Sequence, residues 1–316
     1  MAGARVQSDL WVSEYVTPYD VYLHGVTRII AAARTQYQDM QIVETGVYGK
    51  ALVLDGKWQS CTGEEFIYHE TLVHAPCLVH GRPKRVLVLG GGEGATVREA
   101  LRWNSVERVT MVDIDGEVVE ACKTHLPEMH QGAFDDPRTE LVIGDAIDFV
   151  ERAEPEWDVI ISDLSDPIEE GPSFALFTRE FFEKAQRALA PGGVFCVQSG
   201  SVACGELDIH ARLSRTLAAV FDHRASCTMP TATYAAPWSI IISRDGEPID
   251  RMPDPERVDS TLTEQTRGKL GFLDGRTVLG LYQTPLYLRR AIEAERQVYS
   301  IAEPPKFFGQ GIAADR

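Results

Sequence analysis

Two aspartates close an apolar run in Val159-Ile160-Ile161-Ser162-Asp163-Leu164-Ser165-Asp166-Pro167. Pro167 stops a helix from continuing and keeps the turn extended. Two carboxylates this close resist ionising together unless a cation joins them, so one pKa should rise. A protonated amine supplies such a cation, and the less solvated carboxylate can accept a proton from an amine that reacts. A free amine has a pKa of about 10.4, so an aspartate cannot strip it beforehand. It can take the proton as a new C–N bond forms and the nitrogen grows acidic. The same spacing also serves an Asx-type turn that caps the next segment of chain.

Upstream, Gly90, Gly92 and Ala95 satisfy G-x-G-x-x-G/A, and Asp113 lies 21 residues beyond Gly92. Between a strand and a helix, such glycines let the backbone approach a nucleoside, while the acid takes two ribose hydroxyls. The pattern suits NAD and S-adenosyl compounds equally. Glu93, inside the loop, disfavours NAD, because a carboxylate there repels a pyrophosphate and welcomes a cation. Asp145, in Gly144-Asp145-Ala146, is placed to accept a bond from an adenine amino group.

These residues need a scaffold, and the sequence alternates to provide one. Apolar strands are expected at 85–89, 109–112, 141–143, 159–162 and 194–197, with helices between them and a longer helix over 178–189. That alternation predicts an α/β fold with a parallel sheet and helices on both faces. Ligands of such sheets bind outside the carboxyl ends of the strands, where every candidate above falls. Residues 1–62 read instead as a small antiparallel β unit, with turns at Gly46-Val47-Tyr48-Gly49 and Asp55-Gly56. Thr62-Gly63-Glu64-Glu65 has the form of a capping box opening a helix that Pro76 should bend. The expected division is a β domain with its connecting helix at 1–80 and a Rossmann-like domain at 81–316. Segment 254–295 reads as helices covering the sheet or an oligomer seam.

Bulk properties narrow the function. The chain has 316 residues, 44% of them hydrophobic and 25% charged, as expected for a soluble globular protein. No apolar run is long enough for a membrane helix and no secretory signal opens the chain, so a cytoplasmic location is expected. Six scattered cysteines without a C-x-x-C pair read as reduced, mostly buried thiols. Net charge is −16, which argues against nucleic acid and agrees with a polycation, though acidity also serves solubility alone.

Taken in order, several segments resemble the spermidine/spermine synthase family of polyamine aminopropyltransferases. They are Tyr37-Gln38-Asp39, the stretch from Leu54 to Ser60, Ile67-Tyr68-His69-Glu70, the GGGEGATVRE loop at 90–99, Val112-Asp113-Ile114-Asp115, the stretch from Gly132 to Arg138, Gly144-Asp145-Ala146 and Asp163-x-x-Asp166-Pro167. They span roughly residues 12–200 and are specific only together. The resemblance implies an S-adenosylmethionine-methyltransferase-type sheet behind an N-terminal β domain. It implies aminopropyl transfer from decarboxylated S-adenosylmethionine to a polyamine amine, with methylthioadenosine as product. No metal and no resident cofactor is expected, and a homodimer or homotetramer is.

The same resemblance implies roles. Asp163 matches the proton acceptor, Asp166 the ligand of the polyamine amine, and Glu93 the position that holds the donor's ammonium. Asp113 matches the ribose-binding acid; Gln38, Asp145 and Ala146 match residues around the thioadenosine, and Pro172 a proline near the adenine. Tyr68 and His69 match the pair flanking the aminopropyl and acceptor chains. Departures occur at 62–65, where the family often reads T-E-R-D-E, and at 229–238, which replaces a Pro-Thr-Tyr-Pro-Ser-Gly type segment. Both lie near the acceptor pocket. Glu93, the longer loop after Asp166 and the tail at 298–309 look most like thermospermine synthases, with spermidine as acceptor; putrescine or agmatine is the alternative.

Other readings stay bland. His69 and His74 are five residues apart, which on a helix puts them on different faces and argues against zinc. Tyr234 and Trp238 could wall a polyamine's methylenes through cation–π contact, or be ordinary core aromatics. An S-adenosylmethionine methyltransferase and a catalytically silent polyamine sensor share the scaffold and are the remoter alternatives.

Overall fold

The computed structural model describes residues 8–17, 19–166 and 173–303. Five antiparallel strands come first, β1 (Leu10–Thr17), β2 (Asp20–Arg34), β3 (Asp39–Thr45), β4 (Lys50–Leu54) and β5 (Lys57–Cys61), each beside its neighbour in sequence. The β4–β5 turn is the expected Asp55-Gly56. Both residues have positive φ, 48° and 70°, which twists a two-residue hairpin correctly. Alternation gives this sheet two apolar faces. Ile42 and Leu52 pack on a helix of the second unit, while Val43, Val53 and Trp58 form a cluster on the other side.

The second sheet is built from β6 (Arg85–Gly90), β7 (Arg108–Asp113), β8 (Thr139–Ile143), β9 (Trp157–Asp163), β10 (Leu189–Ser201), β11 (His223–Met229) and β12 (Trp238–Arg244). Its spatial order is β11-β12-β10-β9-β6-β7-β8. The pairs β10–β9, β9–β6, β6–β7 and β7–β8 are parallel, and β12 runs antiparallel to both its neighbours. The Rossmann-like, mostly parallel sheet is thus present with a reversed strand near one edge. The strands expected from sequence end at β10 and do not include the β11–β12 pair.

Helices cover both faces. Along β6, Val86 and Val88 face one cluster while Leu87 and Leu89 face the other, as the two-residue period of a strand requires. The first face carries α1 (Glu65–His80) and α2 (Ala95–Leu101), with α3 (Gly116–His125) and α4 (Pro127–His130) beside them. The second carries α5 (Ala146–Arg152), α6 (Arg179–Ala188) and α7 (Asp208–Leu217). The cover at 254–295 resolves into α8 (Pro255–Gln265), α9 (Gly275–Leu281) and α10 (Leu286–Ala294); α8 and α9 close the first face through Val258, Leu262, Val278 and Leu281. Helix α1 buries Leu72, Val73 and Cys77 against the parallel sheet.

The capping box does not form. Glu64 occupies the cap position with no side-chain cap bond. Thr62 Oγ1 instead accepts from the Lys50 N–H at 3.1 Å, and the Glu65 carboxylate turns inward to His69 and Arg98. Burial of charged partners outweighs the local cap. Helix α1 continues through Pro76 to His80. All six cysteines are free thiols, five buried and Cys204 exposed. No helix among the described residues is long and apolar enough to cross a membrane.

Candidate active site

Strand order reverses at β6, which has β9 on one side and β7 on the other. A crevice opens at such a point, outside the carboxyl ends of the strands. Gly90 closes β6, Asp113 closes β7 and Asp163 closes β9, while Asp145 comes directly after β8. These ends border a cleft roofed by residues of the first sheet. Among the described residues seven carboxylates line it, Glu14, Asp55, Glu93, Asp113, Asp145, Asp163 and Asp166, against one lysine, Lys57. Such a field selects cations.

The glycine loop brings the backbone close. Gly90, Gly91 and Gly94 have φ of 81°, 76° and 79°, a region that costs other residues dearly. A Cβ on Gly90 would run into the Asp163 carbonyl, and one on Gly92 would sit 3.0 Å from Asp113 Oδ2. The loop therefore holds both aspartates against itself.

Asp163 is tightly held. Its Oδ1 accepts from the Tyr68 hydroxyl at 2.8 Å and its Oδ2 from Thr96 Oγ1 at 2.5 Å. Burial, followed by the charge of Glu93, raises its pKa above the ordinary aspartate value. The crowding carboxylate is thus Glu93, not the Asp166 that sequence spacing predicts. Asp166 is raised on its own account to about 6 by burial, against the opposing bond from Gln198 Nε2 at 3.0 Å. Burial also raises Asp113 to about 6, although its Oδ1 accepts from the Asp115 N–H at 2.9 Å.

Glu93 is ionised for a different reason. Burial alone would raise its pKa, but His69 on one side and Ser60 on the other hold it below the ordinary glutamate value. Ser60 Oγ donates to Oε1 at 2.9 Å, and His69 Nε2 lies 3.3 Å from the same oxygen. The other ring nitrogen of His69 is 2.8 Å from Glu65 Oε2, which also accepts from Arg98 Nη2 at 2.8 Å. Burial would lower the His69 pKa; the two carboxylates push it up to about 10. His69 is therefore a buried imidazolium behind Glu93 and does not itself line the cleft. That corrects its expected place beside the substrate chains, because Glu93 stands between.

The remaining candidates divide between the two ends. Gln38 lines the cleft and donates from Nε2 to Asp115 Oδ2 at 3.0 Å, with Thr35 on the same oxygen at 2.6 Å. Asp145 caps α5 by accepting from the Ile147 N–H at 2.7 Å, and Ala146 lies beside it on the wall. At the other end Tyr234 and Trp238 face the cleft with ring centroids 4.8 Å apart, and Tyr68 meets Tyr234 edge-on at 6.0 Å. Pro172, with Pro167 and the Glu169-Glu170 loop, lies outside the described residues. His69 and His74 do diverge, His74 Nε2 going to Glu99 Oε2 at 2.9 Å. Thr96 and Ser60 lie within segments that carry the family likeness but nothing there singles them out, and Gln198 has no sequence signal: uncharged side chains carry little until the fold brings them to a carboxylate.

Residues 65–252 match the sequence model described as the Spermine/spermidine synthase domain, and residues 10–61 that of the Spermidine synthase tetramerisation domain. The chain belongs to the spermine/spermidine synthase family. A polyamine aminopropyltransferase of Synechococcus sp. (strain JA-2-3B'a(2-13)) is 53% identical over 308 residues, 95% of this chain and 98% of the relative. One from Aeropyrum pernix is 40% identical over 303 residues, 94% and 96% of the two chains. The crystal structure of a spermidine synthase in complex with the transition state analogue AdoDATO superposes with a TM-score of 0.84 at 30% identity, covering 93% of this chain and 99% of that one. As a spermine/spermidine synthase family member the chain is an enzyme, an aminopropyltransferase of polyamine biosynthesis.

Proposed function

We propose that this chain transfers the aminopropyl group of decarboxylated S-adenosylmethionine to a primary amine of a polyamine and releases methylthioadenosine. One observation carries the reading: among the described residues seven carboxylates, Asp163 included, and one lysine line the same cleft. Two positively charged chains can be held there head to tail. The sulfonium makes the adjacent aminopropyl CH₂ electrophilic. A neutral acceptor nitrogen attacks that carbon, the C–S bond breaks, and its electron pair leaves on sulfur as a thioether. The nitrogen, now carrying one proton too many, gives it to Asp163. Positioning does most of the work, since the leaving group is already good.

In this assignment Glu93 takes the donor's ammonium, Asp113 the ribose hydroxyls, and Gln38, Asp145 and Ala146 surround the thioadenosine. Asp166 takes the acceptor's ammonium, with Tyr68, Tyr234 and Trp238 along its methylenes. The acceptor is spermidine and the product a tetraamine of the thermospermine or spermine type, which rests on the sequence likeness at Glu93 and the loop after Asp166; putrescine or agmatine is the alternative. On one face of β1 and β2 the side chains of Trp11, Tyr15, Val21 and Leu23 are exposed, which supports burial of this face in a dimer or tetramer. A cytoplasmic enzyme without a resident cofactor completes the proposal.

An acceptor panel with mass and regiochemical analysis of the products, run on wild type and Asp163→Asn, tests it. Methylthioadenosine should appear with a tetraamine in the wild type. Asp163→Asn should keep the donor and lose about 10²-fold or more in turnover. Methyl transfer from intact S-adenosylmethionine with no aminopropyl transfer would overturn the proposal.

A further inference from the structure

The loop at 230–237, between β11 and β12, carries Tyr234 and leads into Trp238 at the start of β12, yet holds itself together weakly. Its internal bonds are Thr231 Oγ1 to the Ala236 carbonyl at 3.1 Å, and two long backbone contacts, Tyr234 N–H to the Thr231 carbonyl at 3.4 Å and Ala235 N–H to the Ala232 carbonyl at 3.2 Å. Ala235 adopts φ of 60°, a conformation that a residue with a Cβ keeps only under external constraint. The constraint comes from outside the loop. Glu64 Oε1 accepts from the Ala232 N–H at 2.9 Å, and Oε2 accepts from the Thr233 N–H at 2.8 Å and the Thr233 hydroxyl at 2.5 Å. The Tyr234 hydroxyl then donates to the Gln59 carbonyl in β5 at 2.6 Å.

Glu64 does not line the cleft; it borders a small separate hollow behind it. It immediately precedes α1, one turn before Tyr68, whose hydroxyl holds Asp163. One carboxylate therefore ties together the helix that carries Tyr68 and the loop that carries Tyr234. The two stretches in which this chain departs from the family pattern, 62–65 and 229–238, are the two that Glu64 joins.

We infer that Glu64 is a positioning residue for the acceptor: its carboxylate fixes the 230–237 loop so that Tyr234 and Trp238 form one wall of the acceptor channel. The inference rests on the reading of that end of the cleft as the acceptor site. Charge-assisted bonds to three donors are strong enough to matter, and their loss frees the wall without touching the donor end.

Steady-state kinetics of Glu64→Ala, Glu64→Gln and Thr233→Val test it, each substrate varied with the other saturating. Glu64→Ala should raise the acceptor KM about tenfold, equivalent to ~1.4 kcal/mol, and leave the donor KM within about twofold. Glu64→Gln keeps one accepting oxygen and should give a smaller rise. Thr233→Val combined with Glu64→Ala should cost no more than Glu64→Ala alone, because both cut the same tie. An unchanged acceptor KM in the near-isosteric Gln and the Ala variants would overturn the inference, as would donor and acceptor KM rising together. Wild-type turnover in the same series reports separately on aminopropyl transfer itself.

Discussion

The Tyr68 hydroxyl donates to Asp163 Oδ1 over 2.8 Å, joining helix α1 to the end of β9. Burial, with Asp163 beside it, raises the Tyr68 pKa well above its ordinary value, so the phenol stays a donor. The bond, with that from Thr96, offsets part of the burial and crowding that raise Asp163. Asp163 thus sits between two demands. As the proposed proton acceptor it must be basic enough to take a proton and still be ionised when the amine attacks.

Removing either donor should tip that balance. In Tyr68→Phe or Thr96→Val the Asp163 pKa climbs further, so the acid limb of the pH–rate profile moves to higher pH. Turnover at neutral pH should fall about tenfold, the order of one lost hydrogen bond to a charged group. A pH profile of kcat at saturating substrates checks this; an unmoved acid limb would separate Tyr68 from Asp163.

The cleft buries carboxylates at a cost that protonation relieves. Asp113 and Asp166 ionise near pH 6 when folded, against 3.8 for the ordinary group. A raised carboxylate pKa means stability that is present at low pH and lost as pH rises from about 3.8 through about 6. The buried carboxylates held low by cations, Glu65, Glu93 and Glu99, act in the opposite sense but only below about pH 4.5. Between pH 7 and pH 5 each of these aspartates should therefore stabilise the substrate-free enzyme by about 1 kcal/mol after allowance for solvent in the cleft, while His210, lowered to about 3 by burial, opposes the gain over the same interval. Read from thermal melts as the difference in stability between wild type and Asp166→Asn, the gain of Asp166 should be about 1 kcal/mol from pH 7 to pH 5, and spermidine should abolish it by stabilising the ionised form. A difference between wild type and Asp166→Asn that does not change over that interval would refute the assignment of the Asp166 shift.

Much of this site is legible in the chain because its acids stand out. A charged residue directly after an apolar strand is conspicuous, so Asp113, Asp145 and Asp163 come to notice with their strands. The strands themselves run slightly beyond the apolar runs, since ladder pairing continues into Gly90, Asp113 and Asp163. Strand β11 is hard to read because His223-Arg224-Ala225-Ser226-Cys227-Thr228-Met229 alternates small and polar residues with little contrast. The place of His69 is also hidden. Position 69 on α1 is evident, but only the packing of Glu93 from the glycine loop shows which group faces the cleft. Glu64 and Gln198 act on partners more than 30 residues away, and neither carries a local pattern.

Glu70, next to the two candidate site residues of α1, has a structural task. Buried beside the sheet, it accepts from the N–H groups of Gly271 at 2.6 Å and of Phe272 and Leu273 at 2.9 Å each. Glu70→Ala strands three donors, that of Leu273 buried and those of Gly271 and Phe272 part-buried, and loosens the α8–α9 connection. Urea unfolding should show a loss of about 3 kcal/mol, with turnover per folded molecule retained. A loss below about 0.5 kcal/mol would mean the connection is held by its apolar contacts instead.

Everything turns on Glu93 as an ionised group that prefers a donor ending in an ammonium alone. Calorimetric titration with decarboxylated and with intact S-adenosylmethionine, on wild type and Glu93→Gln, measures that preference directly. The wild type should bind the decarboxylated compound at least about 100-fold more tightly, a difference of ~2.7 kcal/mol, and Glu93→Gln should shrink the gap to within about tenfold. Equal affinity for the two compounds in the wild type, or a gap untouched by Glu93→Gln, would contradict the account.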